Sequence, residues 1–125
     1  MIRVIITKQN GSYKSFICSG HAGYEQDHSV RGGIGRFLRP HGDIVCAAVS
    51  AIVINTVNCL EDLLKEDIGC DYDSEEGGLI TCVFTAPPSD KASFLIDCMV
   101  HGLKWIMAQY GERYLTFEIE EVGTC

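Results

Sequence analysis

The fold of this chain is constrained most by residues 44–54, an apolar segment in which only Ser50 is polar. Asp43 precedes the segment, and an aspartate at that position favours the start of a helix. We predict one helix over residues 43–65, apolar nearly all round in its first half and amphipathic later. The segment is shorter than the roughly 20 residues that span a membrane. A sheet of the same chain or a second subunit must therefore cover it.

The N-terminal residues predict a β-hairpin. Apolar and polar side chains alternate over residues 2–7, which is typical of a half-buried strand. Asn10-Gly11 favours a tight hairpin turn, and a second strand follows over residues 13–19. Phe16 and Cys18 share one face of that strand, and the hairpin leads directly to His21.

The second half of the chain predicts another hairpin, a helix and a last strand. Residues 68–72 and 79–84 form the hairpin, and Pro87-Pro88 ends it. A helix follows from Asp90 and ends at Gly111, and a strand begins at Leu115. Apolar residues recur along this helix at three- and four-residue spacing, and with Trp105 they predict core or dimer contacts: Phe94, Leu95, Cys98, Met99, Leu103, Ile106, Met107 and Tyr110.

The order strand, strand, helix, strand, strand, helix, strand predicts an α+β fold. We expect two layers, with two helices packed on a mostly antiparallel sheet of about five strands. The length of 125 residues predicts a single domain over residues 1–125.

Charge and cysteine content narrow the range of functions. A net charge of −7 argues against direct binding of nucleic acid and suits a basic partner. The seven cysteines are odd in number and contain no Cys-x-x-Cys pair, so a disulfide framework and a zinc site are both poorly supported. The N-terminal apolar run is too short for a signal peptide. We predict a cytoplasmic protein that binds no membrane and needs no metal or cofactor.

Two motifs carry candidate catalytic residues. The first places His21 on a loop after a strand; the second places Cys46 in the first turn of a helix. Unpaired backbone N–H groups and the helix dipole favour a thiolate there. Cys46 could attack a carbonyl with His21 as proton acceptor and later donor. A purely structural Cys46 explains the same apolar segment equally well.

These motifs resemble those of the ribosomal-processing cysteine protease family, the Prp or YsxB-like proteins of Firmicutes and related bacteria. The resemblance rests on Gly20-His21-Ala22-Gly23-Tyr24 and Asp43-Ile44-Val45-Cys46-Ala47-Ala48-Val49-Ser50. It implies that His21 and Cys46 are catalytic and that Asp43 and Ser50 support them. It also implies a homodimer, and a substrate that is the N-terminal extension of the twenty-seventh protein of the large ribosomal subunit.

The interval between the two motifs is longer here than the resemblance implies. His21 and Cys46 are 25 positions apart, which gives an enlarged loop at about residues 25–42. A loop this long often forms a lid or a binding surface. We expect its apolar and basic residues, together with the motif tyrosine, to contact substrate: Tyr24, Arg36, Phe37 and Leu38.

Two other functions remain open at this stage. A non-catalytic ribosome- or protein-binding module could keep the same fold and use the enlarged loop as its contact surface. A redox-responsive thiol protein is the third hypothesis, although the sequence places no resolving cysteine near Cys46.

Overall fold

The computed structural model of the chain describes residues 1–20, 44–73 and 79–123. The predicted order of elements is confirmed. In chain order they are β1 (Ile2–Gln9), β2 (Ser12–Ser19), α1 (Ile44–Asn58) with a π-helical extension (Cys59–Leu63), β3 (Ile68–Asp73), β4 (Leu79–Phe84), α2 (Asp90–Tyr110) and β5 (Leu115–Val122).

The five strands form one mixed sheet in the order β3-β4-β2-β1-β5. Three neighbouring pairs are antiparallel, and β5 lies parallel to β1 on the far edge. The β1–β2 turn has positive φ at both Asn10 (55°) and Gly11 (79°), the backbone that a tight hairpin requires. The mostly antiparallel sheet with two helices is thus as predicted, and β2 lies at its centre.

The core lies between the sheet and the two helices, α1 and α2. Residues four apart along α1 are buried, among them Val45, Val49 and Val53, and they pack with strand residues such as Phe16. Thr56 is the buried polar residue of this helix, and its hydroxyl donates a hydrogen bond to the Ile52 carbonyl oxygen at 2.7 Å. The polar group therefore enters the core with its hydrogen bond satisfied.

The opposite face of α1 is only partly covered by the chain. Ile44, Ala47, Ala51 and Ile54 remain exposed. The sheet and α2 therefore cover only part of the apolar surface that the sequence predicted to be covered.

With its π-helical extension, α1 is long and apolar enough to cross a membrane. The combined helix, Ile44–Leu63, has 20 residues and a mean hydropathy of 1.8. The apolar segment alone was predicted to be too short for this, and the longer helix passes on length and composition. A single such helix is weak support for a membrane span, because the core helix of a soluble protein passes the same test.

The helix α2 begins and ends where the sequence predicts. The Ser89 hydroxyl accepts a hydrogen bond from the Ala92 backbone N–H at 3.1 Å, and Gly111 follows the last turn. The apolar residues of α2 divide between two opposite faces. Met99, Leu103 and Ile106 are buried, whereas three are exposed on the other side: Phe94, Cys98 and Trp105.

Candidate active site

Cys46 occupies the first turn of α1, as its third residue. Its side chain is half-buried and packs against the core. The first four backbone N–H groups of a helix have no partner within the helix, and they form the positive end of its dipole. A half-buried thiol in this position lies beside backbone N–H groups that can donate hydrogen bonds.

Ser50 lies one turn beyond Cys46 and is also half-buried. Residues four apart share one side of a helix, so the two side chains lie on the same side of α1. This side borders the buried row that contains Val49 and Val53. The site therefore has an apolar floor formed by the helix itself.

Cys18 is a neighbour of Cys46 that the motifs do not identify. It is buried near the end of β2, the central strand, with Val4 and Ile80 as its partners on either side. Burial is the larger cause that raises the pKa of the Cys18 thiol, and the negative charge of a Cys46 thiolate is the second. Together they raise this pKa to about 11. The two thiols are therefore close enough to interact electrostatically, which places the end of β2 beside the start of α1.

The Cys18 thiol stays protonated at neutral pH and does not compete with Cys46 as a nucleophile. The sequence signal for this contact was indirect. Cys18 was predicted to share one face of its strand with Phe16, and the predicted pairing of His21 with Cys46 placed the end of that strand near the start of α1, but neither motif includes Cys18.

Gly20 ends this strand at a close backbone contact. Its φ is +93°, and a Cβ atom there would overlap the carbonyl oxygen of Met1. Only glycine combines this backbone conformation with so close a neighbour. The chain is therefore held beside its own N-terminus at the last described residue before His21.

Several predicted site residues lie outside the described residues: His21, Tyr24, Arg36, Phe37, Leu38 and Asp43. The enlarged loop at about 25–42 lies there too. The predicted proximity of His21 to Cys46 therefore stays a prediction. Within residues 1–20, 44–73 and 79–123, no group of three or more His, Cys, Asp or Glu side chains is arranged to hold a metal ion.

A comparison with protein families identifies the family to which the chain belongs. The model described as Cysteine protease Prp matches residues 1–115 of the chain. The chain belongs to the Prp family of cysteine proteases. The family resemblance and the enzyme class that the sequence predicted are both confirmed.

Individual Prp relatives agree with this assignment. The chain is 31% identical over 114 residues to the ribosomal processing cysteine protease Prp of Staphylococcus aureus, covering 90% of this chain and 94% of the relative. Among solved structures, SMU.848 from Streptococcus mutans matches with a TM-score of 0.74 and 26% identity over 98% of this chain and 96% of that one.

A solved structure of Prp bears on the chemistry. Prp from S. aureus, in complex with a covalently linked product peptide, matches with a TM-score of 0.73 and 26% identity over 96% of this chain and all of the other. The same S. aureus protein in complex with a substrate peptide matches with a TM-score of 0.72. The Prp fold of this chain is therefore one that binds peptides in a relative.

Proposed function

We propose that this chain is an endopeptidase that removes a short N-terminal extension from the twenty-seventh protein of the large ribosomal subunit, with a Cys46–His21 dyad. The observation that carries the proposal is the position of Cys46, half-buried in the first turn of α1 in a Prp family chain. The S. aureus relative supports it, because that protein is a ribosomal processing protease and has been solved with a covalently linked product peptide.

In this mechanism the Cys46 thiolate attacks the scissile carbonyl carbon. The N–H groups of the first turn of α1 stabilise the oxyanion that forms. His21 then gives the proton that it took from the Cys46 thiol to the leaving amine. A thioester between Cys46 and the N-terminal fragment remains. Water activated by His21 hydrolyses the thioester and restores the thiol. Asp43 caps the helix or orients His21, and Ser50 hydrogen-bonds close to the sulfur.

Specificity is assigned to the enlarged loop at about residues 25–42 and to overall charge. Phe37 and Leu38 would cover apolar substrate side chains, with Tyr24 and Arg36 nearby. The acidic chain, at −7, would attract a basic ribosomal protein electrostatically. A substrate of this kind places the enzyme in the cytoplasm.

A homodimer formed through the helical layer is part of the proposal. Phe94 and Trp105 on α2 are 68% and 60% exposed, and Ile54 on α1 is 37% exposed. A groove of about 460 Å³ runs between the two helices, lined by Ala51, Leu95 and Cys98 among others. A contiguous apolar surface of this kind marks an interaction site in soluble proteins, and a second copy would bury it.

The dimer is tested by sedimentation at several protein concentrations. Phe94→Glu and Trp105→Glu should each shift the protein toward monomer, because each places a charge in the apolar contact. Val83→Glu is the matched control, because it places the same charge at an exposed apolar position on β4, on the face opposite the buried Cys82 and Phe84. A wild type that stays monomeric at high concentration would contradict the dimer without affecting the proteolytic assignment.

The proteolytic activity is tested with a peptide that spans the junction of the ribosomal extension. Wild type should cut it once, and Cys46→Ala and His21→Ala should each lose at least about 1,000-fold in kcat/KM, as when a catalytic nucleophile or base is removed. Cys98→Ser, an exposed cysteine on α2, should keep full activity. Binding of the peptide by wild type without cleavage would instead support a non-catalytic binding module for this substrate.

A further inference from the structure

A second pair of cysteines meets in the sheet, away from Cys46. Cys70 on β3 and Cys82 on β4 are direct partners in the antiparallel register of these strands. The two residues are twelve positions apart in the predicted hairpin, and the sequence leaves open the register that pairs them. They belong to neither of the motifs that carry the proteolytic site.

The geometry of this pair fits a disulfide. Directly opposed residues on antiparallel strands have Cα atoms about 4.5–5.5 Å apart, with side chains on the same face of the sheet. Disulfides join Cα atoms about 4.4–6.8 Å apart. A bond between Cys70 and Cys82 therefore needs no displacement of either strand.

The two thiols are in contact and have unequal environments. The Cys82 S–H donates a hydrogen bond to the sulfur of Cys70, which lowers the pKa of Cys70 and raises that of Cys82. Cys82 is fully buried, whereas Cys70 on the edge strand is half-buried. Cys70 is thus the thiol that a small oxidant reaches, and Cys82 is the buried thiol that can react with Cys70 once Cys70 is oxidised.

We propose that Cys70 and Cys82 form a reversible redox site that closes to a cross-strand disulfide when the protein meets a peroxide. The Cys70 thiolate attacks one peroxide oxygen, so that an S–O bond forms, the O–O bond breaks and hydroxide leaves. The sulfur of Cys82 then attacks that of Cys70, the S–S bond forms and the S–O bond breaks. The hydroxide and the Cys82 proton leave as water. A dithiol reverses the reaction by thiol–disulfide exchange.

The reaction is slow at neutral pH, which suits a reducing cytoplasm. Burial is the largest influence on the pKa of Cys70 and raises it, with a further rise from the charge of Glu61. Both effects outweigh the hydrogen bond from Cys82, so little Cys70 thiolate is present at rest. The disulfide would therefore form during sustained exposure to peroxide, and cellular thiols would reopen it.

The test uses the full chain treated with hydrogen peroxide at about pH 8.5, followed by alkylation of the remaining thiols and peptide mapping without reductant. The Cys46→Ala background removes the proposed proteolytic nucleophile as a competing thiol. We expect a peptide pair joined through Cys70 and Cys82 that separates on addition of dithiothreitol. We also expect the Tm to rise by roughly 5–10 °C, because the bond restricts the unfolded chain even though the loop that it closes is short.

Two variants make the result specific. Cys70→Ser, at a half-buried edge position, should fold and lose both the linked peptide and the rise in Tm, whereas Cys98→Ser should keep both. The proposal is overturned if Cys70 is oxidised or alkylated while Cys82 stays a thiol. It is equally overturned if peroxide oxidises the exposed Cys98 and leaves Cys70 and Cys82 unlinked.

Discussion

Two pairs of cysteines lie close together in the described residues, Cys46 with Cys18 and Cys70 with Cys82. They differ in the backbone around the outer thiol, which is the less buried thiol of each pair. Cys46 lies at the start of a helix, where backbone N–H groups are unpaired, and Cys18 lies beside it on a strand. Cys70 lies within a strand, with the thiol of Cys82 as its hydrogen-bond donor. In both pairs burial keeps the inner thiol protonated. The start of α1 can stabilise a thiolate and an oxyanion, whereas the Cys70–Cys82 pair is arranged only to form and break a disulfide.

The largest expected difference between these thiols is in their rates of alkylation. With iodoacetamide at about pH 7.5, Cys46 should react at least about 1,000-fold faster than Cys18, because a thiol with a pKa of about 11 is ionised in roughly one molecule in 3,000. Peptide mapping at timed intervals measures both rates in one sample.

Cys98 is exposed in the single chain and is the internal control for this measurement in the Phe94→Glu background, where a second copy would not cover it. Cys46 should react faster than Cys98 if the start of α1 activates it. Equal rates for Cys46 and Cys98 would show that the helix start gives the thiol no special reactivity, and the contrast with Cys70 would then disappear.

The next effect is a loss of stability at alkaline pH. The pKa of Cys18 is higher in the folded chain, about 11, than the ordinary value of 9.0, so folding favours its protonated form. The contribution to stability is complete below pH 9 and is lost as the pH rises toward 11. We expect a decrease of roughly 2–3 kcal/mol in the free energy of unfolding over this interval.

Urea unfolding at a series of pH values measures this decrease in wild type and in Cys18→Ala. Wild type should lose more stability than the variant, because only wild type carries Cys18. Cys82, whose pKa is also raised, contributes equally to both proteins. Parallel curves for the two proteins would mean that folding does not raise the pKa of Cys18.

The smallest effect compares one glycine beside each pair. Gly20→Ala should lower the free energy of unfolding by about 1–3 kcal/mol, because its positive φ and the Met1 carbonyl both oppose a side chain. Gly69, next to Cys70, has open space at its Cβ position and no positive φ. Gly69→Ala should therefore be neutral or stabilise by up to about 1 kcal/mol. Equal urea midpoints for both variants would contradict the close contact at Gly20.

Much of the fold could be predicted because its signals are local. Alternating side chains identified β1 and β2, Asn10-Gly11 identified the turn between them, and the start and end of α2 followed from Ser89 and Gly111. The division of α2 into two apolar faces was harder to predict. Phe94 and Leu103 have the same spacing signal, and only packing against the sheet determines which of them is buried.

The candidate site was predicted only in part. The position of Cys46 in a helical first turn follows from the residues around it and agrees with the structure. The need for glycine at position 20 depends on a contact with the Met1 carbonyl, which only the structure shows. Cys18 was missed as a neighbour because its contact with Cys46 joins segments that are distant in the chain. The roles of His21 and Asp43 were predicted from their positions in the chain and from the family resemblance, and they stay predictions because both residues lie outside the described ones.

The sequence by itself determined the strands and helices, their order, the first-turn position of Cys46 and membership of the Prp family. Each of these depends on the spacing of side chains within a contiguous segment. Only the tertiary structure decided that β5 lies parallel to β1, that Cys18 approaches Cys46 and that Cys70 opposes Cys82. These contacts depend on strand order and register, which are set when distant segments bury their apolar faces together.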